Sequence, residues 1–342
     1  ICPSKKAVQC CTEAARICYE AALAADAPED CIQWLTQVSR EQTHALMHHP
    51  KLSLILATGG SGLVREAYSS GTPALGVGAG NVPVFFEASA DIPFAVEQLL
   101  ISKTFDNGTI CASEQALVVE ASVAAQVEAE LKKNKAYFLS PTEVQQLEKL
   151  AWNAGKKAMN ADIVGQPAVR IAEWAGLKVP TDTRVLIAPL KGVGASYPLS
   201  AEILAPILAY YVAPDFSEAV KLCIDLNYHG GVGHTASIFS NNEEKIRSFS
   251  LMMNAGRIVV NTPSSQGAVG GTYNRLSPSL TLGCGTGGKN ITTENVTARH
   301  LMNIQRITRR RVNERMLRFD SSKYFNESLT AKEIEAEYNR NY

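Results

Sequence analysis

An apolar run over residues 52–57 (LSLILA) stops at Thr58-Gly59-Gly60-Ser61-Gly62, and helical spacing resumes over residues 63–68. That succession is strand, glycine turn, helix, and the same alternation continues along the chain. Strands are expected at 84–86, 116–119, 184–188, 207–212, 235–239 and 257–260, and helices at 3–25, 92–105, 124–134, 141–158, 216–226 and 243–253. Ser140 or Thr142 is placed to cap the helix at 141–158, with Glu143 in its first turn. The pattern predicts an α/β fold with helices packed on a parallel sheet.

Charge and composition narrow the function. The 342 residues carry 33 Lys and Arg against 33 Asp and Glu, so nothing favours nucleic acid or an anionic membrane as a partner. With 46% hydrophobic and 19% charged residues the chain can bury one or two cores, which sets disorder and fibrous structure aside. Its longest apolar runs, 52–57 and 203–212, fall short of the roughly 20 residues that span a bilayer. Eight cysteines, crowded toward the N-terminus and without a CxxC pair, suit a reducing cytoplasm better than a disulfide or zinc framework. Ile1, not Met, starts in what reads as the tail of a strand, so the chain is expected to continue upstream.

Several groups of residues are suited to chemistry. Gly76-Val77-Gly78-Ala79-Gly80 is spaced GxGxG, not GxGxxG, lacks a clear flanking strand and helix, and by itself reads as a tight turn. The turn at 58–62 opens a helix whose N–H groups suit a phosphate, or it is a plain βα turn. Cys111 follows the turn dipeptide Asn107-Gly108 just ahead of a strand, where a thiol can be exposed and activated; a structural cysteine is the alternative. His48-His49 ahead of Pro50 lacks further visible ligands, and no metal site is expected. His234, in Gly230-Gly231-Val232-Gly233-His234-Thr235, is either a satisfied turn histidine or a functional one. The basic run 306–311 reads as a solvated face or a subunit contact, and residues 320–342 are polar with weak helical periodicity.

Four stretches in order along the chain carry a resemblance: ALMHHPKLSLILATGGSGLVREAYSSGTPALGVGAGNVPV (45–84), SKTFDNGTICASEQALVVE (102–120), YHGGVGHTASIFS (228–240) and LSPSLTLGCGTGGKNITTENV (276–296). On these motifs the chain resembles the aldehyde dehydrogenase superfamily over about residues 1–300, and within it the CoA-acylating aldehyde dehydrogenases. That group includes the aldehyde dehydrogenase half of bifunctional alcohol/aldehyde dehydrogenases and the microcompartment propionaldehyde and acetaldehyde dehydrogenases. The fold implied is α/β: an open parallel-sheet NAD-binding domain, truncated at its N-terminus, plus an α/β catalytic domain. Residues 1–82 would be the C-terminal part of the NAD-binding domain, 83–300 the catalytic domain, and 301–342 a tail able to contact another subunit.

The resemblance also implies roles. Cys111 would be the nucleophile and His234 a catalytic or CoA-proximal residue. A thiohemiacetal on Cys111 would lose hydride to NAD, and the resulting thioester would pass to the thiol of CoA, with a backbone N–H near Cys111 holding the oxyanion. Thr58, Gly59, Gly60, Gly62 and Gly78 would line the cofactor site. Glu202, in Ala201-Glu202-Ile203-Leu204-Ala205-Pro206, matches the family carboxylate that accepts the nicotinamide ribose hydroxyls. Val77 stands where hydrolytic members carry a Glu base; a valine cannot deprotonate water, which favours transfer to CoA. The expected substrate is a short aldehyde: acetaldehyde, propionaldehyde, succinate semialdehyde or sulfoacetaldehyde. An anionic one calls for a cation such as Arg257, Arg275 or Lys289. NAD is expected ahead of NADP, CoA as cosubstrate, a homodimer or homotetramer as the assembly, and the cytoplasm, including a bacterial microcompartment, as the location. The alternatives are a hydrolytic dehydrogenase and a catalytically silent structural subunit. In the family, part of the nucleotide-binding domain and an oxyanion-binding Asn precede the position of Ile1. Residues 1–342 alone are therefore expected to be weakly active or inactive, and the short tail suggests a stand-alone enzyme.

Overall fold

The computed structural model describes residues 1–310 and 320–341, which divide into two units, 1–301 and 302–342. In the first, helices α1 (Val8–Ala24) and α2 (Arg40–Met47) precede strand β1 (Ile55–Thr58), helix α3 (Ser61–Ser69) and strand β2 (Ala74–Val77). Strands β1 and β2 pair in parallel with Thr58 opposite Val77. The expected tight turn at Gly76-Val77-Gly78-Ala79-Gly80 is therefore strand in its first part. Its first two residues complete β2, where Val77 is buried, because a parallel partner supplies the hydrogen bonds that a glycine-rich sequence gives no sign of. Gly76 itself has to be glycine, since a Cβ there would stand 2.8 Å from Val64 and 2.9 Å from the Tyr68 ring of α3. Ile1 enters no strand; its carbonyl accepts from the Leu35 N–H at 3.0 Å and its nitrogen donates to the Gln33 carbonyl at 2.6 Å.

The chain then builds the main sheet from β3 (Val82–Phe86), α4 (Ile92–Thr104), β4 (Glu114–Glu120), α5 (Ala124–Lys133), β5 (Ala136–Phe138) and α6 (Pro141–Ala151). A small antiparallel pair, β6 (Trp152–Asn153) and β7 (Ala158–Met159), leads to α7 (Ala168–Trp174). The remaining elements are β8 (Val185–Pro189), β9 (Ile207–Ala213), α8 (Phe216–Gly230), β10 (Gly233–Phe239), α9 (Glu243–Met252), β11 (Ala255–Val260) and α10 (Ser264–Val269). Seven strands line up in the order β11-β10-β3-β4-β9-β8-β5, and every pair is parallel. This is the α/β architecture read from the sequence.

Both faces of the sheet are covered, which is why β3 and β10 are buried at every position. On one face Val84 and Phe86 pack with Leu99 of α4 and Val127 and Leu131 of α5. On the other, Phe85 and Val118 pack with Leu226 of α8 and Phe249 of α9. Truncating any one of these to alanine costs about 2–5 kcal/mol. Ser140, not Thr142, caps α6, in a reciprocal capping box with Glu143. That helix stops at Ala151 instead of running to 158, because Trp152 turns extended and the Asn153 side chain accepts from the Lys156 N–H at 2.9 Å, closing a hairpin turn.

In the second unit residues 302–310 are exposed coil, and short helices span Ser321–Tyr324 and Ala331–Asn341. Arg306, Arg309 and Arg310 lie in the coil, while Arg311 lies outside the described residues. Among the described residues no helix is long and apolar enough to cross a membrane.

Candidate active site

Helix α4 ends at Thr104, and the chain makes one tight turn over Phe105–Gly108 in which Asp106 and Asn107 adopt left-handed backbone, φ 47° and 49°. The Asn107 side chain holds this turn by donating to the Gly165 carbonyl at 2.9 Å. Gly108 has φ +74°, and a Cβ on it would stand 2.8 Å from the Ala205 carbonyl oxygen, so the turn seats against the loop before β9 only as glycine. Cys111 emerges from this turn just ahead of β4 as a half-buried residue.

His234, the second residue of β10, is fully buried. Its Nε2 lies 3.2 Å from Cys111 Sγ, and its Nδ1 lies 2.9 Å from Thr235 Oγ1. Arg257 of β11 reaches under both residues. Its Nη2 donates to the His234 carbonyl at 3.0 Å and the Gly283 carbonyl at 2.5 Å, its Nε faces Thr235 Oγ1 at 3.4 Å, and its Nη1 reaches the Thr293 carbonyl and Asn295 Oδ1, each at 3.3 Å.

The third wall is the loop leaving β2. A Cβ on Gly80 would stand 2.3 Å from the Cys111 carbonyl oxygen and 3.0 Å from the His234 ring, so this loop reaches the thiol only as bare backbone. The Gly80 N–H donates to Glu202 Oε1 at 2.8 Å. Cys111, His234, the 78–80 loop and Glu202 therefore form one cluster. Because Thr58 pairs with Val77, the 58–62 turn and the 78–80 loop leave the C-terminal ends of two neighbouring parallel strands, the position where open α/β sheets form ligand crevices. Gly60, Gly62 and Gly78 have open space where a Cβ would project, whereas Gly59 would meet Leu63 at 3.0 Å.

Burial sets the electrostatics. It pushes the Cys111 thiol up to about 12, with Glu202 and Cys284 adding to the rise and Arg257 opposing it. It raises Glu202 to about 7, against the Gly80 N–H and Lys103. Burial and the neighbouring Arg257 lower His234 to about 3, so the imidazole is neutral. Beneath the site the wholly buried Lys103 is lowered to about 7 by desolvation, against the pull of Glu114 and Glu202, and its Nζ donates to Gln115 Oε1 at 3.3 Å. Gln115 Oε1 also accepts from the Ile203 N–H at 3.0 Å, tying Lys103 to the loop that carries Glu202.

Sequence reading missed Gly80, Thr235 and Lys103 as parts of this site, and it listed Arg257 only as a cation for an anionic substrate. The Arg257 guanidinium is engaged by backbone and side-chain oxygens, while Arg275 and Lys289 lie exposed. Away from the site, donor atoms of His44, His48 and Glu66 come within 4.8 Å of one another. The two imidazoles stack at 4.0 Å with 17° between their planes, so their in-plane lone pairs run side by side instead of converging on one point.

The aldehyde dehydrogenase family model matches residues 1–145. The bifunctional aldehyde-alcohol dehydrogenase AdhE of Escherichia coli K12 is 46% identical over 327 residues, covering 94% of this chain and 36% of that protein. The chain thus spans little more than a third of that relative's length. The structure of an acetylating aldehyde dehydrogenase from Geobacillus thermoglucosidasius superposes with TM-score 0.85 at 45% identity, covering 90% of this chain and 69% of that one. A propionaldehyde dehydrogenase from Rhodopseudomonas palustris with bound propionyl-CoA superposes with TM-score 0.75 at 29% identity, over 85% of this chain and 63% of that one.

Proposed function

This chain belongs to the aldehyde dehydrogenase family, and we propose that it catalyses the reversible CoA-acylating oxidation of a short aldehyde with NAD. The observation that carries the reading is the pairing of a thiol and an imidazole: Cys111 Sγ faces His234 Nε2 at 3.2 Å at the mouth of a strand-end crevice. Val77, where a hydrolytic member has its carboxylate base, is buried in β2 and offers nothing that activates water. Relatives with acetylating or acylating names, and one with propionyl-CoA bound, support acyl transfer to CoA.

The residues fit a nicotinamide nucleotide. Gly60, Gly62 and Gly78 leave side-chain-free backbone at adjoining strand ends, and the Glu202 carboxylate, now bonded to Gly80, is the acceptor that ribose hydroxyls require. When bound, the nucleotide accepts the hydride. Cys111 Sγ, as thiolate, adds to the aldehyde carbonyl and forms the C–S bond of a thiohemiacetal. Loss of hydride leaves a thioester on Cys111, the CoA thiolate adds to its carbonyl, and the Cys111 thiolate departs with acyl-CoA formed. Gly80 lets the loop close on the sulfur, and the buried His234 excludes water from one side of it.

We further propose that residues 1–82 contribute to nucleotide binding, that 83–300 carry the chemistry, and that 301–342 contact another subunit in a cytoplasmic homo-oligomer. The assay supplies the full-length gene product with NAD and a panel of short aldehydes, with and without CoA, and follows NADH. NADH that requires CoA and is lost in Cys111→Ala supports the proposal; equal NADH without CoA overturns it in favour of hydrolysis.

A further inference from the structure

Thr235 and Arg257 contact the histidine from behind, on the side away from the sulfur. Thr235 Oγ1 is shared between two nitrogens: Arg257 Nε at 3.4 Å and His234 Nδ1 at 2.9 Å. A guanidinium nitrogen only donates, and its positive charge turns the hydroxyl hydrogen away from itself. Thr235 is wholly buried, so a hydroxyl that accepted from both neighbours would leave its own hydrogen without a partner in a dry site. The arrangement that satisfies every atom points the Thr235 O–H at Nδ1, which then has to be the lone-pair nitrogen. A neutral imidazole with Nδ1 as acceptor carries its hydrogen on Nε2, the nitrogen that faces Cys111.

We propose that Thr235 and Arg257 act as positioning residues that fix His234 in the Nε2–H form, so that it donates a hydrogen bond to the Cys111 sulfur instead of accepting the thiol proton. The proposal rests on the reading of Cys111 as nucleophile. It separates this pair from a cysteine–histidine ion pair, in which the imidazole takes up the proton and becomes charged. Arg257 disfavours that charge directly, since its guanidinium sits against the His234 carbonyl at 3.0 Å and lowers the affinity of the ring for a second proton. A donor aimed at the sulfur offsets part of the cost of a thiolate that burial, Glu202 and Cys284 all oppose.

The experiment labels the full-length gene product with imidazole-¹⁵N histidine, records long-range ¹H–¹⁵N correlations at neutral pH, and assigns the His234 ring as the signals lost in His234→Gln. A pyrrole-type Nε2 with a pyridine-type Nδ1 is expected. A protonated Nδ1 with bare Nε2, or an imidazolium, overturns the proposal whatever the enzyme's activity, and a failed CoA assay with the expected tautomer leaves it standing. Thr235→Val should mix the tautomers and slow iodoacetamide alkylation of Cys111 by about tenfold, the weight of one hydrogen bond to a charged group. Thr235→Ser should restore both the tautomer and the rate. If Thr235→Val leaves the ring signals and the rate unchanged, the hydroxyl does not set the tautomer and the proposal fails. Should Thr235→Val not fold, the wild-type spectrum decides alone.

Discussion

His234 Nε2 and Cys111 Sγ stand 3.2 Å apart, although 123 residues separate them in the chain. The histidine comes from the start of β10 and the cysteine from the turn ahead of β4, with β3 running between those strands in the sheet. The contact is thus made across an intervening strand, beyond its N-terminal end, with Gly80 of the preceding loop completing it.

Removing the sulfur should abolish turnover without disturbing the fold. On the proposed role of Cys111 as nucleophile, Cys111→Ser is expected to lower CoA-dependent NADH formation on the order of a thousandfold or more, while thermal unfolding stays within a few degrees of the parent. A variant that keeps substantial turnover would show that another group carries the acyl chain.

The two glycine clusters should behave differently. Gly80→Ala forces a methyl group to within 2.3 Å of the Cys111 carbonyl oxygen, and the displaced backbone should lower stability by about 1–3 kcal/mol and silence the thiol toward iodoacetamide. Gly62→Ala lies inside α3 with open space around it; it should gain about 0.5–1 kcal/mol from helix propensity and weaken only nucleotide binding. Urea denaturation and calorimetric titration of NAD separate the two outcomes.

Glu202 should titrate visibly in stability. Burial raises it from 4.5 to about 7 in the folded chain, so folding favours its protonated form. Below pH 4.5 it is neutral in both states and costs nothing; the penalty grows between pH 4.5 and 7 and is complete above. Glu202→Gln should therefore gain on the parent across that window, by about 1–3 kcal/mol above pH 7. The same change should speed alkylation of Cys111, because one charge opposing its thiolate is gone, and should weaken NAD binding. Faster alkylation with unaltered NAD affinity would remove Glu202 from the ribose site.

Glu87 has the opposite sign. Burial alone would raise its carboxyl, but hydrogen bonds from Lys245, Ser89 and Ser240 outweigh it and hold the group down at about 2. Lys245 Nζ lies 2.6 Å from Glu87 Oε1, joining α9 to the end of β3. The stabilisation is complete above pH 4.5 and disappears as pH falls toward 2. Lys245→Met should cost about 1–3 kcal/mol at pH 7 and nearly nothing at pH 2, as read from denaturant midpoints at each pH.

The parallel sheet was legible because its strands are apolar throughout and separated by helices with clear periodicity. Strand β2 was not, since Ala-Leu-Gly-Val looks like the approach to a turn until β1 lies beside it. Strand β5 is three residues long, too short for any period to register. Cys111, His234 and Glu202 were found through motifs, and the structure brings all three to one place. Arg257 and Lys103 were not, because no spacing announces a cation destined for the interior: Lys103 looks like any polar residue near a helix end. Their roles depend on which carbonyls and carboxylates the finished sheet brings near, information held only in the assembled fold.

Arg257 gathers the carbonyls of His234, at the start of β10, and of Gly283 and Thr293, on the two sides of one hydrogen-bonded loop, onto one guanidinium. That fastening works at every physiological acidity, whereas Glu202 and Lys103, at about 7, sit on the edge of changing charge. The molecule therefore separates shape from potential. Near neutral pH the charge beside the sulfur depends on how Glu202 and Lys103 are protonated, whereas the guanidinium that holds the His234 backbone keeps its charge.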